Sequence, residues 1–278
     1  MASATARTTV RCMSDPTVVA AYDATAEGAD GLALAELLSR LIGAEVLVVR
    51  VLQDMVEHPG ATRGEQRDVR RRVDETRLAI LAAVPGHELN VMPVIDARLA
   101  RALHDVASQA GASFLVLGSS HFHGLGRTLL GGSAEIVVVG APCPVAVAAP
   151  GFRERAALEP AVIGVAFNGS PESNAAVRTA ASLAQGSGAR LRLVAVDDGD
   201  RAPAALDALD PVAGAGEEQR VVRRGNAADE LVSETRDLGL LVMGARGLGA
   251  MRSALLGSVS TSVLRRAHCP VIVCPASP

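Results

Sequence analysis

Apolar residues along this chain fall into two alternating patterns. Short runs rich in Val, Ile, Leu and Ala, bounded by Gly or Pro, occur at 18–21, 46–51, 113–117 and 144–147. Runs of that length and composition read as buried strands. Between them, apolar residues recur at helical spacing. Over 31–41 they are Leu34, Leu37, Leu38 and Leu41, and over 98–110 they are Leu99, Leu103, Val106 and Ala107. Strands alternating with helices predict an α/β fold with parallel pairing and right-handed crossovers.

The whole pattern then repeats. Val18-Val19-Ala20-Ala21-Tyr22-Asp23 matches Val162-Ile163-Gly164-Val165-Ala166-Phe167-Asn168, and the run 46–51 matches 191–196. The stretch ending in Gly118 matches that ending in Gly244, and Pro144-Val145-Ala146-Val147 matches Pro270-Val271-Ile272-Val273. Helices are predicted over 172–183, with Ala176, Ala180 and Leu183 inward, over 227–237, and over 259–267. The charged, proline-flanked stretch 150–160 is the expected boundary, giving units 1–150 and 151–278. The halves differ in one crossover. Residues 66–84 predict an extra helix, whereas 197–216, rich in Ala, Asp and Gly, predict a reduced connection. Arg70-Arg71-Arg72 reads as a solvated helix face, the competing reading being an anion site.

Composition narrows the function. Of 278 residues, 49% are hydrophobic and only 2% aromatic, so the core is aliphatic, as suits strands buried on both faces. A net charge of −3 and the lack of a basic stripe with interleaved aromatics argue against a nucleic-acid partner. The chain contains no Lys, which excludes a Walker-type lysine, a Schiff base and a lysine general base within it. Cys12, Cys143, Cys269 and Cys274 fit neither a zinc site nor a redox pair. No apolar run approaches the ~20 residues of a membrane span, and no signal peptide is visible, so a cytoplasmic location is the expectation.

The strongest chemical signal is a pair of glycine-spaced loops after corresponding strands. In the second half Gly244, Gly247 and the pair Gly257-Ser258 are separated by two and nine residues. In the first half Gly118 and Gly131 keep the outer spacing, but His121 replaces the middle glycine and Gly132 the serine. A glycine loop between a strand and a helix presents backbone N–H groups and the positive end of the helix to an anion. The competing reading is a tight strand-to-helix turn with no ligand. His121 and His123 raise a metal site, but no acidic or thiol ligand in the loop completes it, and no metal site is assigned. His58, His87, His104 and His268 read as surface residues. No set of nucleophile, base and oxyanion donors emerges, so no catalytic residue is assigned.

These elements, in the same order in both halves, resemble the universal stress protein family in tandem form. The resemblance covers about 17–147 and 161–275 and rests on the strand ends Tyr22-Asp23 and Phe167-Asn168, the glycine loops, and the Cys-Pro-Val strand starts. It implies two tandem, doubly wound, mostly parallel five-stranded sheets, the adenine nucleotide alpha hydrolase-like fold. Pairing of the halves about a pseudo-twofold through their last strands would follow the family, and a homodimer is left open.

The resemblance also implies ATP as ligand, with or without Mg²⁺, in those members that keep the loop. In the second half it assigns Ala166, Asn168, Val196, Met243, Gly244, Arg246, Gly247, Gly257, Ser258, Val259 and Ser260. In the first half it assigns Ala21, Asp23, Val51, Gly118, His121, Gly126, Arg127 and Gly131. Asn168 departs from the Asp usual at this strand end. It keeps an acceptor but loses the charge. Asp197-Asp198 adjoins a strand end, where it reads either as a Mg²⁺ ligand or as a solvated turn. Three functions remain open: a nucleotide-binding switch in stress response, an interaction protein without nucleotide, and at most a very slow ATPase.

Overall fold

The computed structural model describes residues 16–53, 63–83, 90–119, 133–155, 159–197, 202–213, 216–245 and 256–275. The first half runs β1 (Thr17–Ala21), α1 (Ala26–Ile42), β2 (Glu45–Leu52), α2 (Arg63–Ala83), β3 (Asn90–Ile95), α3 (Leu99–Gln109), β4 (Ala112–Leu117), α4 (Ser133–Val138) and β5 (Val145–Val147). The second runs β6 (Val162–Ala166), α5 (Pro171–Ser187), β7 (Arg190–Asp197), α6 (Ala202–Asp207), β8 (Glu218–Arg224), α7 (Ala227–Glu234), β9 (Leu240–Gly244), α8 (Ser258–Arg266) and β10 (Val271–Cys274).

The strands form one sheet in the order β3-β2-β1-β4-β5-β10-β9-β6-β7-β8. Each half contributes five parallel strands. The last strands of the two halves, β5 and β10, pair antiparallel with Ala146 opposite Ile272. Joining the halves this way pairs two strands that would otherwise be exposed sheet edges.

Alternating side chains of each strand feed two apolar layers. One holds α1, α2, α5 and α6 through Leu34, Ile80, Ala176 and Leu206. The other holds α3, α4, α7 and α8 through Leu103, Val137, Leu231 and Val263. Leu, Val, Ile and Ala make up nearly all of both, as the aromatic-poor composition requires. Where the halves meet, α5 presses on the end of α1. A Cβ at Gly186 would lie 2.8 Å from the Leu41 carbonyl carbon.

The two outer strands, β3 and β8, complete the five strands per half that the resemblance implies, but no apolar run in the sequence locates them. β3 carries Asn90 and Pro93, and β8 reads Glu-Gln-Arg-Val-Val-Arg-Arg. Both lie at sheet edges, where one side faces water, so no continuous apolar run marks them. Helix α1 starts earlier than its apolar pattern because Thr25 caps it, accepting from the Gly28 N–H at 3.0 Å. Ile136-Val137-Val138 is a poor helical run, yet it forms the end of α4 because burying Val137 and Val138 outweighs propensity. The second-half connection is reduced as expected, to the short α6.

Residues 151–153 of the expected boundary stretch dock on α1. Asp30, buried on α1, accepts from the N–H groups of Gly151 at 2.8 Å and Arg153 at 2.9 Å. Phe152 is buried beside them.

Candidate functional site

In open parallel sheets, ligands collect beyond the carboxyl ends of strands where the strand order reverses. This sheet has two such points, between β1 and β4 and between β6 and β9. They are built alike. Tyr22 and Phe167 extend β1 and β6 by one bond each, to the carbonyls of Val49 and Val194 at 2.9 Å. Asp23 and Asn168 follow, each with its Oδ1 accepting at 3.1 Å from the N–H two residues on, that of Thr25 or Ser170. Thr25 and Ser170 then cap α1 and α5.

This turn bears on the exchange of Asp for Asn. Asn168 accepts one bond at its carbonyl oxygen from Ser170, and keeps a second lone pair and its amide N–H groups for other partners. Between the acidic or amide residue and the cap, Ala24 adopts φ 62°, where the second half has Gly169 at φ 78°. The left-handed conformation is natural for Gly and costs an alanine roughly 1 kcal/mol.

The first glycine of each loop has a packing reason. A Cβ on Gly244 would lie 2.6 Å from the Glu172 Cβ and 3.0 Å from the Glu172 carbonyl carbon. One on Gly118 would lie 2.7 Å from the Glu27 carbonyl carbon and 3.0 Å from the Gly28 nitrogen. In both halves the bare glycine lets the first turn of the helix that follows the neighbouring strand, α5 after β6 or α1 after β1, press on the end of the inner strand. Glycine at these positions is therefore accounted for without a phosphate.

The end of the second loop is different. Gly257 spends its N–H on the Ala245 carbonyl at 3.0 Å, which removes it as a free donor. Ser260 is buried, and its hydroxyl donates to the carbonyls of Gly244 at 3.1 Å and Ala245 at 3.3 Å. These bonds pin the N-terminus of α8 to the tip of β9. Gly257 at its N-cap has no side chain to cap it, and Arg98 makes no cap bond at the start of α3, whereas Thr25, Ser170 and Asn226 cap α1, α5 and α7. Ser258, the first residue of α8, is exposed. An uncapped helix start leaves unsatisfied N–H groups and a partial positive charge at the switch point. Beneath it Ala166, Val196, Met243 and Val259 share one apolar cluster.

In the first half, Ala21, Asp23 and Val51 line a cleft of about 680 Å³ at the ends of β1 and β2. Tyr22, Arg50, Arg72, Glu75 and Leu99 line it too. Arg70, Arg71 and Arg72 are all exposed, as a solvated face requires, and Arg72 also lines the cleft. Arg50 was missed. Its signal was an Arg inside an otherwise apolar strand whose counterpart, in the second half, is Ala195. Of the remaining expected residues, His121, Gly126, Arg127, Gly131, Arg246 and Gly247 lie outside the described residues, as do Gly132, His123, Asp198 and Cys12.

Other candidate groups are accounted for locally. His104, expected at the surface, is half-buried and bonds the Val137 carbonyl at 2.7 Å, tying α3 to α4. Asp197 pairs with Arg224 across β7 and β8 at 3.7 Å. Burial pushes the Cys143 and Cys269 thiols up to about 12 and raises that of Cys274, so none is a ready nucleophile. Among the described residues no group of three or more His, Cys, Asp or Glu could hold a metal ion, and no helix is long and apolar enough to cross a membrane.

Comparison with known proteins agrees with this architecture. The sequence model of the universal stress protein family matches residues 16–149, 161–220 and 208–275. A universal stress protein of Mycobacterium tuberculosis is 33% identical over 183 residues, covering 58% of this chain and 61% of its own length. A second from that species is 46% identical over 57 residues, 20% of this chain and 18% of its own. The matches therefore span less than two thirds of either relative. The crystal structure of a universal stress protein from Archaeoglobus fulgidus superposes with a TM-score of 0.72 at 21% identity, covering 95% of this chain and 100% of that one.

Proposed function

The chain belongs to the universal stress protein family, and from that premise we propose that it is an adenine-nucleotide-binding switch of the stress response, built of two units, 1–150 and 151–278. The nucleotide, ATP in the first instance, sits over the switch point between β6 and β9. Its base lies against Ala166, Val196 and Met243, and its phosphates meet the start of α8 at Ser258 and Val259. The single observation that carries this reading is the uncapped N-terminus of α8, held at the tip of β9 by the Ser260 hydroxyl. Arg246 and Gly247 belong to the same site by their place in the glycine loop. Asn168 meets the ligand with an acceptor and a donor where a carboxylate would only accept. Any Mg²⁺ arrives with the phosphates. Nucleotide acts as a conformational ligand.

The test is a calorimetric titration of the whole chain with ATP, with and without Mg²⁺, beside the variant Ser258→Asp. A carboxylate at the start of α8 favours the helix by ~0.3–1 kcal/mol yet repels phosphate. The variant should melt no lower than the parent and bind ATP at least ~10-fold more weakly, a loss of about 1.4 kcal/mol. Equal binding by parent and variant removes α8 from the site. No saturable binding at millimolar ATP leaves the interaction-protein reading in place of this one.

A further inference from the structure

The halves diverge at one strand position beneath their extra helices. Val49 pairs with Ala21 and Val194 with Ala166, so the next residues, Arg50 and Ala195, are equivalent. Ala195 is fully buried, in the same apolar cluster as Ala202 and Leu206 of α6. α6 thus fills the space over that end of β7. In the first half α2 stands further off. Arg72, Glu75, Thr76 and Ala79 of α2 form one wall of the cleft of about 680 Å³, and Arg50 forms part of the other.

Arg50 is poorly served by the protein around it. Its Nη1 is shielded from water and has no hydrogen-bond partner among the described residues. A buried donor without a partner costs about 1–3 kcal/mol, and more when the group is charged. An alanine at the equivalent position avoids that cost in the second half. Two carboxylates line the cleft, yet neither relieves Arg50. Asp23 accepts from the Thr25 N–H and hydroxyl, and Glu75 forms no ion pair among the described residues.

We propose that Arg50 anchors the carboxylate or phosphate of a small organic anion bound between β2 and α2. Arg72 closes over the same group from the helix. A guanidinium presents paired N–H donors in a fork that matches either oxyanion. The cleft is large enough for a ligand of several carbons attached to that group. The site does not rest on the nucleotide reading above. Arg50 shares its sheet face with Val48, packed in the layer beneath α1 and α2, whereas Val51 belongs to the opposite layer. It also serves the half whose glycine loop carries His121 and Gly132 in place of Gly and Ser.

The experiment uses pyrophosphate and citrate as probes in calorimetry and thermal melts of the whole chain. The variants are Arg50→Gln, Arg50→Leu and Ser258→Asp. At least one probe should bind the parent and raise its melting temperature. Binding by pyrophosphate alone assigns a phosphate, and by citrate alone a carboxylate. Arg50→Gln should weaken binding by ~10-fold or more, the worth of a charge-assisted hydrogen bond. Ser258→Asp should leave it unchanged, which separates this site from the start of α8. Arg50→Leu should melt no lower than the parent without ligand, since it removes an unpartnered buried donor. Three results would overturn the proposal: neither probe binding at millimolar concentration, equal binding by Arg50→Gln, or a clear loss of stability in ligand-free Arg50→Leu. ATP binding that survives in Arg50→Gln leaves the nucleotide reading intact in each case.

Discussion

Gly244→Ala separates two explanations of the same glycine. If the residue is bare so that a phosphate can approach, adding a methyl group weakens nucleotide binding and leaves folding alone. If it is bare because α5 presses on β9, the methyl group strikes the protein itself. It would sit 2.6 Å from the Glu172 Cβ, 3.0 Å from the Glu172 carbonyl carbon and 3.3 Å from the Ser173 nitrogen. Carbon atoms pack comfortably at about 3.5–4.0 Å, so the start of α5 must retreat by roughly 1 Å. Two of the three obstacles are backbone, and β9 is held on both sides by β6 and β10. Overpacking of this kind costs about 1–3 kcal/mol. With an m-value of ~3 kcal/mol/M for urea, a cost of ~2 kcal/mol lowers the midpoint by ~0.7 M. Urea unfolding followed by circular dichroism, without nucleotide, measures it. A midpoint equal to that of the parent would refute the packing argument. Gly118→Ala repeats the test in the first half and should fall at least as far.

Relief of strain should stabilise the chain at another turn. Ala24→Gly frees a left-handed alanine and should raise the unfolding free energy by about 0.5–1 kcal/mol in the same urea assay, while a loss would contradict the φ of 62°. Glu234 is buried between Arg192, at 3.2 Å, and Arg223, tying α7 to the sheet edge. Glu234→Ala should cost about 2–3 kcal/mol, below the full cost of breaking a buried pair because both arginines can turn to water. An unchanged melting temperature would show that the cluster is ornamental. Cys143 and Cys269 are raised from 9.0 to about 12, so their neutral forms stabilise the fold below pH 9 and that contribution fades as pH rises toward 12. Iodoacetamide at pH 8 should leave Cys143, Cys269 and Cys274 unmodified until denaturant is added. Native-state labelling read by mass spectrometry would contradict their burial.

The inner strands were legible because they are buried on both faces and carry unbroken aliphatic runs. The duplication was legible for the same reason, since each run occurs twice in the same order. β3 and β8 escaped because an edge strand alternates its surroundings between core and water, and Pro93 and the arginines of β8 mask what pattern remains. The helices were found by their inward leucines and alanines, but their starts were set by Thr25 and Ser170, which no apolar periodicity marks. At the site, spacing identified Gly118 and Gly244 but not their purpose. Their neighbours Glu27 and Glu172 are distant in sequence, and only the fold brings them against the strand ends. The same holds for Ser260, whose hydroxyl ties α8 to β9, a role that sequence spacing does not reveal. Arg50 was visible only as an oddity in an apolar run. Its meaning depends on how α2 is placed, and sequence spacing carries no information on that.

The most direct test of the nucleotide reading is photo-crosslinking of the whole chain with 8-azido-ATP, followed by peptide mapping. The account predicts label that unmodified ATP displaces, on peptides containing Ala166, Val196 or Met243. Label that ATP does not displace, or label confined to peptides from residues 16–149, would contradict it.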